Sequence, residues 1–187
     1  MSEAREWMRR YLVAHSLLAG EVKLSGGGTA NFYFDCKRAT LQGEFLIPLA
    51  DWLLDHVIPS LPTPPTLFGG PTLGADFIAA AAVMRAVQRG LQPTTAAIVR
   101  KEAKKHGTQS MIENEQPAGA VLVVEDVITT GGSIARACDE FISAGHKIAG
   151  IAAIIDREAG GKETLAARYG APVSALFSKS DFTELAK

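Results

Sequence analysis

Cysteine is nearly missing from this sequence: only Cys36 and Cys138 occur, and neither stands in a C-x-x-C pair or at ligand spacing from a histidine. That usage excludes a disulfide-stapled scaffold and a cysteine-bound zinc site, and both residues read as ordinary reduced thiols. Net charge is nearly missing too. Nineteen Lys and Arg stand against 20 Asp and Glu, so there is no overall basic footprint for nucleic acid or an anionic membrane surface. Long apolar runs are lacking, because charges, Pro or Gly interrupt every stretch before the ~20 residues a membrane span needs. The N-terminal MSEAREWMRRYL is charged throughout and has no apolar segment of the signal-peptide kind. These absences predict a soluble, cytoplasmic protein with neither nucleic acid nor membrane as partner.

What is present suits one domain. Hydrophobic residues make up 47% of 187 positions, enough for a full core without external staples. Residues 4–18 carry Trp7, Tyr11, Leu12 and Leu18 at helical spacing, with Gly20 as a stop. SGGGTA (25–30) reads as a turn and NFYFD (31–35) as a strand. A helix is predicted over 45–58, ended by Pro59, then a short strand TLFGG (66–70) and an alanine-rich helix over 74–89 closed by Gly90. AAIVR (96–100) is a strand, whereas 101–119 is charged, aperiodic and loop-like. AVLVVED (120–126) is continuously apolar until its last two residues, as suits a strand buried on both faces. A helix over 133–145, an apolar strand over 147–155, a helix over 162–169 and a strand PVSALF complete the chain. Strands alternating with helices predict an α/β fold with a mostly parallel central sheet flanked by helices.

One stretch carries the chemistry. VVEDVITTGG (123–132) runs from a buried strand into two acids, Glu125 and Asp126, then into a turn of small and hydroxyl residues. Ligands of open parallel sheets bind beyond the carboxyl ends of strands. Gly131 and Gly132 permit a tight bend, and the following helix adds unpaired amides and a partial positive charge at Ser133. With the hydroxyls of Thr129, Thr130 and Ser133, this is a cradle for one phosphate. It is not a nucleotide P-loop, since the G-x-x-x-x-G-K-[ST] lysine is missing. Nor is it a dinucleotide fingerprint, since the acids precede the turn. Two acids beside a phosphate make sense if they face neutral hydroxyls of the same ligand, such as a sugar diol; an ordinary capped turn is the alternative. A second small-residue turn, Gly69–Gly74 with Thr72, lies at another strand end. RKEAKKHG (100–107) is a cationic segment, either a solvated charge run or a lid over a polyanion. Arg157 follows a long apolar strand and suits capture of a planar carboxylate, or a salt bridge with Asp156 or Glu158.

These stretches resemble a known family. VLVVEDVITTGGS (121–133) looks like the phosphoribosylpyrophosphate (PRPP) motif of type I phosphoribosyltransferases, and FGGPTLGAD (68–76) is similar to their pyrophosphate loop. NFYFDCKRATL (31–41), RKEAKKHG (100–107) and IDREAGG (155–161) resemble the hood, the mobile catalytic loop and the carboxylate-binding segment of orotate phosphoribosyltransferases. The resemblance covers essentially the whole chain in the expected order. It implies a single phosphoribosyltransferase domain over 1–187, with a small hood (about 1–40 plus a C-terminal segment) on a core of about 41–160. It also implies transfer of a phosphoribosyl group from PRPP to orotate, with Mg²⁺ carried mainly by PRPP rather than by a protein metal site. A homodimer is implied, its lid loop reaching across to the neighbouring site.

Residue by residue, the resemblance implies catalytic roles for Lys104, His106 and Asp126. PRPP would be bound by Arg100, Lys101, Glu125, Asp126, Thr129, Thr130, Gly131, Gly132, Ser133 and Thr72. Orotate would be bound by Tyr33, Phe34, Thr130, Arg157 and Lys23. Two positions depart from the pattern. Leu73 stands where some members have a lysine, so backbone amides must do more there. Leu24 precedes Ser25 where a cation is usual, which leaves Lys23, one place earlier, as the candidate. Lys37 and Arg38 are further possible neighbours of phosphate or orotate, and Asp76 reads better as a capping residue than as a ligand contact.

Overall fold

The computed structural model of the protein describes residues 3–23, 29–102 and 110–182, with the backbone alone for 19–23 and 29–31. A helix α1 (Glu3–His15) leads into an antiparallel pair, β1 (Leu17–Lys23) and β2 (Thr29–Phe34). The predicted helix over 4–18 therefore stops early. Leu17 and Leu18 pair with Phe34 and Tyr33 instead, and Gly20 lies inside a strand near a register shift between Ala19 and Val22. Cross-strand hydrogen bonding of a hydrophobic pair outweighs the weak local helical preference of two more residues.

Helices α2 (Lys37–Thr40) and α3 (Gly43–Trp52) follow; α3 continues through a wider turn, Leu53–Val57, into a last short piece, α4 (Ile58–Ser60). Pro59 thus sits at the start of that final turn rather than beyond it, where a missing N–H is tolerated. The core is a six-stranded sheet in the order β5-β4-β3-β6-β7-β8. Its strands are β3 (Leu67–Pro71), β4 (Ala96–Val99), β5 (Ile112–Glu113), β6 (Ala120–Ile128), β7 (Lys147–Asp156) and β8 (Val173–Ser178). All neighbours are parallel except β5, a two-residue edge strand antiparallel to β4 inside the segment read as loop. Helices α5 (Gly74–Arg89), α6 (Gly132–Ser143) and α7 (Gly161–Tyr169) connect the strands.

Strand alternation builds two cores. Leu122, Val124 and Ile154 pack with α1, α3 and α5 on one face, while Val121, Val123 and Ile151 pack with α6 and Leu165 of α7 on the other. On α6, Ile134, Ala137, Cys138 and Phe141 form the buried stripe expected of an amphipathic helix. Its Phe141 ring fits because β3 has Gly69, where a Cβ would lie 2.5 Å from that ring. No helix among the described residues is long and apolar enough to cross a membrane. The consequence for function is geometric. β3, β4, β6 and β7 are parallel, so their carboxyl ends, carrying Thr72, Arg100, Asp126 and Arg157, open on the same side, beneath the β1–β2 pair.

Candidate active site

β6 is buried over its first six residues, and only at Asp126 and Val127 does it become partly accessible. The two acids differ sharply. Asp126 lines a cleft of about 160 Å³ together with Tyr33, Phe34, Lys37, Val127, Thr129 and Arg157. Glu125, expected to face a ligand hydroxyl, is turned inward and is 6% exposed. Its Oε1 accepts the amide of Asp126 at 3.1 Å and its Oε2 accepts the Ser133 hydroxyl at 3.2 Å. The two carboxyls remain neighbours, and it is the bonds from the Asp126 amide and the Ser133 hydroxyl that hold Glu125 inward while Asp126 is left at the cleft.

Burial, then the charge of Asp126, pushes the Glu125 carboxyl well above the ordinary range. An acid whose pKa is raised on folding is held protonated by the native state where the unfolded chain has released its proton. Its contribution to stability therefore declines as pH rises above the ordinary glutamate range. Glu125→Gln keeps an acceptor for the Asp126 amide and removes that penalty. We expect the ligand-free variant to melt a few degrees higher than wild type at pH 7–8, since each kcal/mol moves Tm by roughly 2–4 °C at this size. The gap should close near pH 4. Thermal melts across pH check this; a variant that melts lower at pH 8 contradicts it.

Beyond the acids the chain bends at Gly131, whose φ of 81° is left-handed. Among the described residues the amides from Thr130 to Ser133 donate to no backbone carbonyl. Helix α6 starts at Gly132, so free amides and the positive end of its dipole address one point. The back of this loop rests on α7. A Cβ on Gly161 would collide with Thr129 O and come within 2.9 Å of the Gly131 amide nitrogen. Gly161 was visible in the sequence only as one of a glycine pair; its role depends on a contact 30 residues away. Gly161→Ala should push the loop out of place and lower kcat/KM roughly 10- to 100-fold, as sub-ångström to ångström misplacements do. Circular dichroism should remain that of wild type; full activity would show that the loop is not held from behind.

The second turn meets the first. A Cβ on Gly74 would collide with Glu125 Oε1 and lie 3.0 Å from Asp126 Oδ1. The 72–74 turn therefore lies directly against the acids, and the Thr72–Leu73 peptide within it is cis. The Thr72 hydroxyl donates to Asp76 at 2.8 Å, so Asp76 fixes the turn through a side chain rather than capping a backbone amide. Thr72, Arg100, Lys101 and Ser133 line one further cleft, which also takes in Arg136 of α6. Arg136 escaped the sequence reading, although it lies one helical turn beyond Ser133. Arg100 itself is ion-paired with Glu113 of β5 and donates to Glu102 O at 3.2 Å. Lys101 is exposed. Lys104 and His106 lie outside the described residues, as does the side chain of Lys23.

On the hood side the aromatic pair divides. Phe34 lies at the cleft but is 3% exposed, with its ring centroid 4.7 Å from that of Phe182. It belongs to the core that α1, α3 and α5 form against the sheet, and Tyr33, half-buried on the opposite face of β2, is left as the accessible ring. Arg157 is not tied to its acidic neighbours. Asp156 accepts the Glu158 amide, and Glu158 accepts both groups of Ser180. The guanidinium lies over the Phe32 ring at 4.9 Å, facing into the cleft without an ion pair among the described residues. The thiols play no part: burial raises Cys36 well above its usual value and Cys138 to about 12.

A phosphate cradle, an acid facing a cleft, and an uncommitted arginine beside an aromatic ring are thus brought together. The family described as phosphoribosyl transferase domain matches residues 69–171. The orotate phosphoribosyltransferase of Corynebacterium glutamicum is 40% identical over 189 residues, covering 96% of this chain and 94% of its own. The chain belongs to the orotate phosphoribosyltransferase family. That of Leptospira biflexa is 38% identical over 178 residues, covering 95% and 94%. The solved orotate phosphoribosyltransferase of Mycobacterium tuberculosis, in complex with Fe(III) dicitrate, superposes with a TM-score of 0.81 at 31% identity, covering 95% of this chain and 98% of that one. In this member of the orotate phosphoribosyltransferase family, Leu73 in the turn beside the acids is 48% exposed.

Proposed function

We propose that the chain transfers the phosphoribosyl group of PRPP to orotate, giving orotidine 5′-monophosphate and pyrophosphate, a step of pyrimidine nucleotide synthesis. The single observation that supports this reading best is the shared cleft of Asp126, Thr129, Tyr33 and Arg157. In this reading the amides from Thr130 to Ser133 and the hydroxyls of Thr129 and Thr130 anchor the 5′-phosphate. Asp126 accepts hydrogen bonds from the ribose hydroxyls and keeps negative charge near the sugar carbon. Orotate lies on Tyr33, its carboxylate on Arg157 and a ring oxygen near Thr130.

A ring nitrogen of orotate attacks the sugar carbon on the face opposite the pyrophosphate. The nitrogen's N–H proton passes to solvent, the carbon–nitrogen bond forms as the bond to the pyrophosphate oxygen breaks, and the carbon is cation-like between the two. Asp126 stabilises that charge more than it stabilises the ground state, which is the requirement for catalysis. Arg100, Lys101, Lys104 and His106 take up charge on the departing pyrophosphate, with a closed lid excluding water from the sugar carbon. The donor set near Asp126 fits a metal ion that arrives on its ligand, since hard cations such as Mg²⁺ keep several waters and favour substrate phosphates. Asp126 would face those waters, and the ion would neutralise part of the pyrophosphate charge. A homodimer, with the lid of each subunit over the other's site, is part of the proposal. Ile47, Met84 and Val87, large apolar side chains left exposed on α3 and α5, support a second copy. So is a cytoplasmic location.

The experiment is direct. Protein, PRPP, Mg²⁺ and orotate are mixed and the ultraviolet absorbance of orotate is followed. Loss of absorbance with pyrophosphate release supports the proposal. Binding of PRPP without turnover would favour a regulator, and consumption of a purine base instead of orotate would favour a purine enzyme.

A further inference from the structure

Lys37 opens α2 directly after the hood strand, and its position is unusual for a surface lysine. Its ammonium stands 3.8 Å from Asp126 Oδ2 and 3.9 Å from Asp35 Oδ1. Both separations exceed hydrogen-bond length, and among the described residues its Nζ donates to nothing. Arg38 beside it is turned away, 3.4 Å from Asp35 Oδ2. Lys37 is partly buried and lines the same cleft as Tyr33, Asp126, Thr129 and Arg157. Burial alone would lower its pKa, but Asp126, Tyr33 and Asp35 more than offset this, so the side chain stays a cation.

The cleft therefore holds two cations at different places: Arg157 at the end of β7 over Phe32, and Lys37 beside the acid assigned to the sugar. A flat anionic ring fixed by its carboxylate on Arg157 extends its reacting edge toward Asp126, and hence toward Lys37. We propose that Lys37 is a further catalytic residue, donating a hydrogen bond to the ring oxygen adjacent to the attacking nitrogen of the pyrimidine. The proposal rests on the orotate reading above. The chemistry is charge dispersal. The ring nitrogen attacks as its anion, having lost its N–H proton to solvent. An ammonium on the neighbouring carbonyl oxygen stabilises the negative charge which that anion shares between nitrogen and oxygen, so more of the ring is in the reactive form. A charged hydrogen bond is directional and short-range, so Lys37→Gln should lose most of the effect and Lys37→Arg should recover part of it.

The test uses the full chain as wild type, K37Q and K37R. Steady-state kcat/KM for orotate is measured at saturating PRPP, and the affinity for Mg²⁺-PRPP by calorimetry. The expected result is a fall of about 10- to 100-fold in kcat/KM for orotate in K37Q, the range for a lost charged donor. PRPP affinity should change less than about threefold, and K37R should lie between. Unaltered orotate kinetics in K37Q would overturn the proposal, leaving a solvated cation. So would a PRPP affinity that falls as much as orotate's, because Lys37 would then act through Asp126. A wild-type protein that does not consume orotate contradicts the underlying reading itself, which separates the two failures.

Discussion

Asp126→Ala is expected to lower kcat/KM by about 10²- to 10³-fold, the loss typical of removing one preorganised electrostatic group from an active site. Three features set the size. The side chain is only 15% exposed, so its charge acts in a partly desolvated cleft where Coulombic effects exceed those in water. It is the acid that faces that cleft, whereas Glu125 is engaged with Ser133 and the Asp126 amide. Its removal also leaves the Lys37 ammonium with Asp35 alone as counter-charge, next to a carbon that becomes positive. Calorimetry with Mg²⁺-PRPP should show weaker binding, but by less than the fall in kcat/KM, because the interaction is strongest in the transition state. Glu125→Gln should cost far less than Asp126→Ala. Equal losses from the two changes would contradict the division of labour seen at the end of β6.

Lys104→Ala should cut kcat by about 10²- to 10³-fold while PRPP binding stays measurable. Arg100 and Lys101, which precede Lys104 in the chain, line one cleft with Thr72 and Ser133. Pyrophosphate departs with several negative charges, and a cation that meets them only as the bond breaks acts on turnover more than on affinity. Single-turnover kinetics with calorimetry separate the two. An unchanged kcat would remove the lid from the mechanism and leave 100–107 a solvated charged loop.

Much of this arrangement was legible in the residues. The strand–helix alternation predicted a parallel sheet, and the acid pair with its small-residue bend located the ligand end of β6. Both signals are local: a run of buried apolar residues, and turn chemistry at a helix start. What could not be read depended on partners distant in sequence. Leu17 and Leu18 look like a helical continuation until Phe34 and Tyr33 are available to pair with them. Tyr33 and Phe34 are equivalent by composition, and only the side of β2 that meets Phe182 separates the core ring from the accessible one. Glu125 and Asp126 likewise look like a matched pair, and only the Ser133 hydroxyl and the Asp126 amide show which is held inward and which lines the cleft. Gly161 acquires its role from the carbonyl of Thr129, and Lys37 from Asp126. In each case the residue type was visible and its direction was not.

A crystal structure of the protein with orotidine 5′-monophosphate decides most directly whether one cleft receives both halves of the product. The account places the phosphate within hydrogen-bond distance of the amides from Thr130 to Ser133, the ribose hydroxyls on Asp126, and the pyrimidine carboxylate on Arg157. A nucleotide seated elsewhere, or with its phosphate on Arg157 and its ring at the glycine bend, would contradict it.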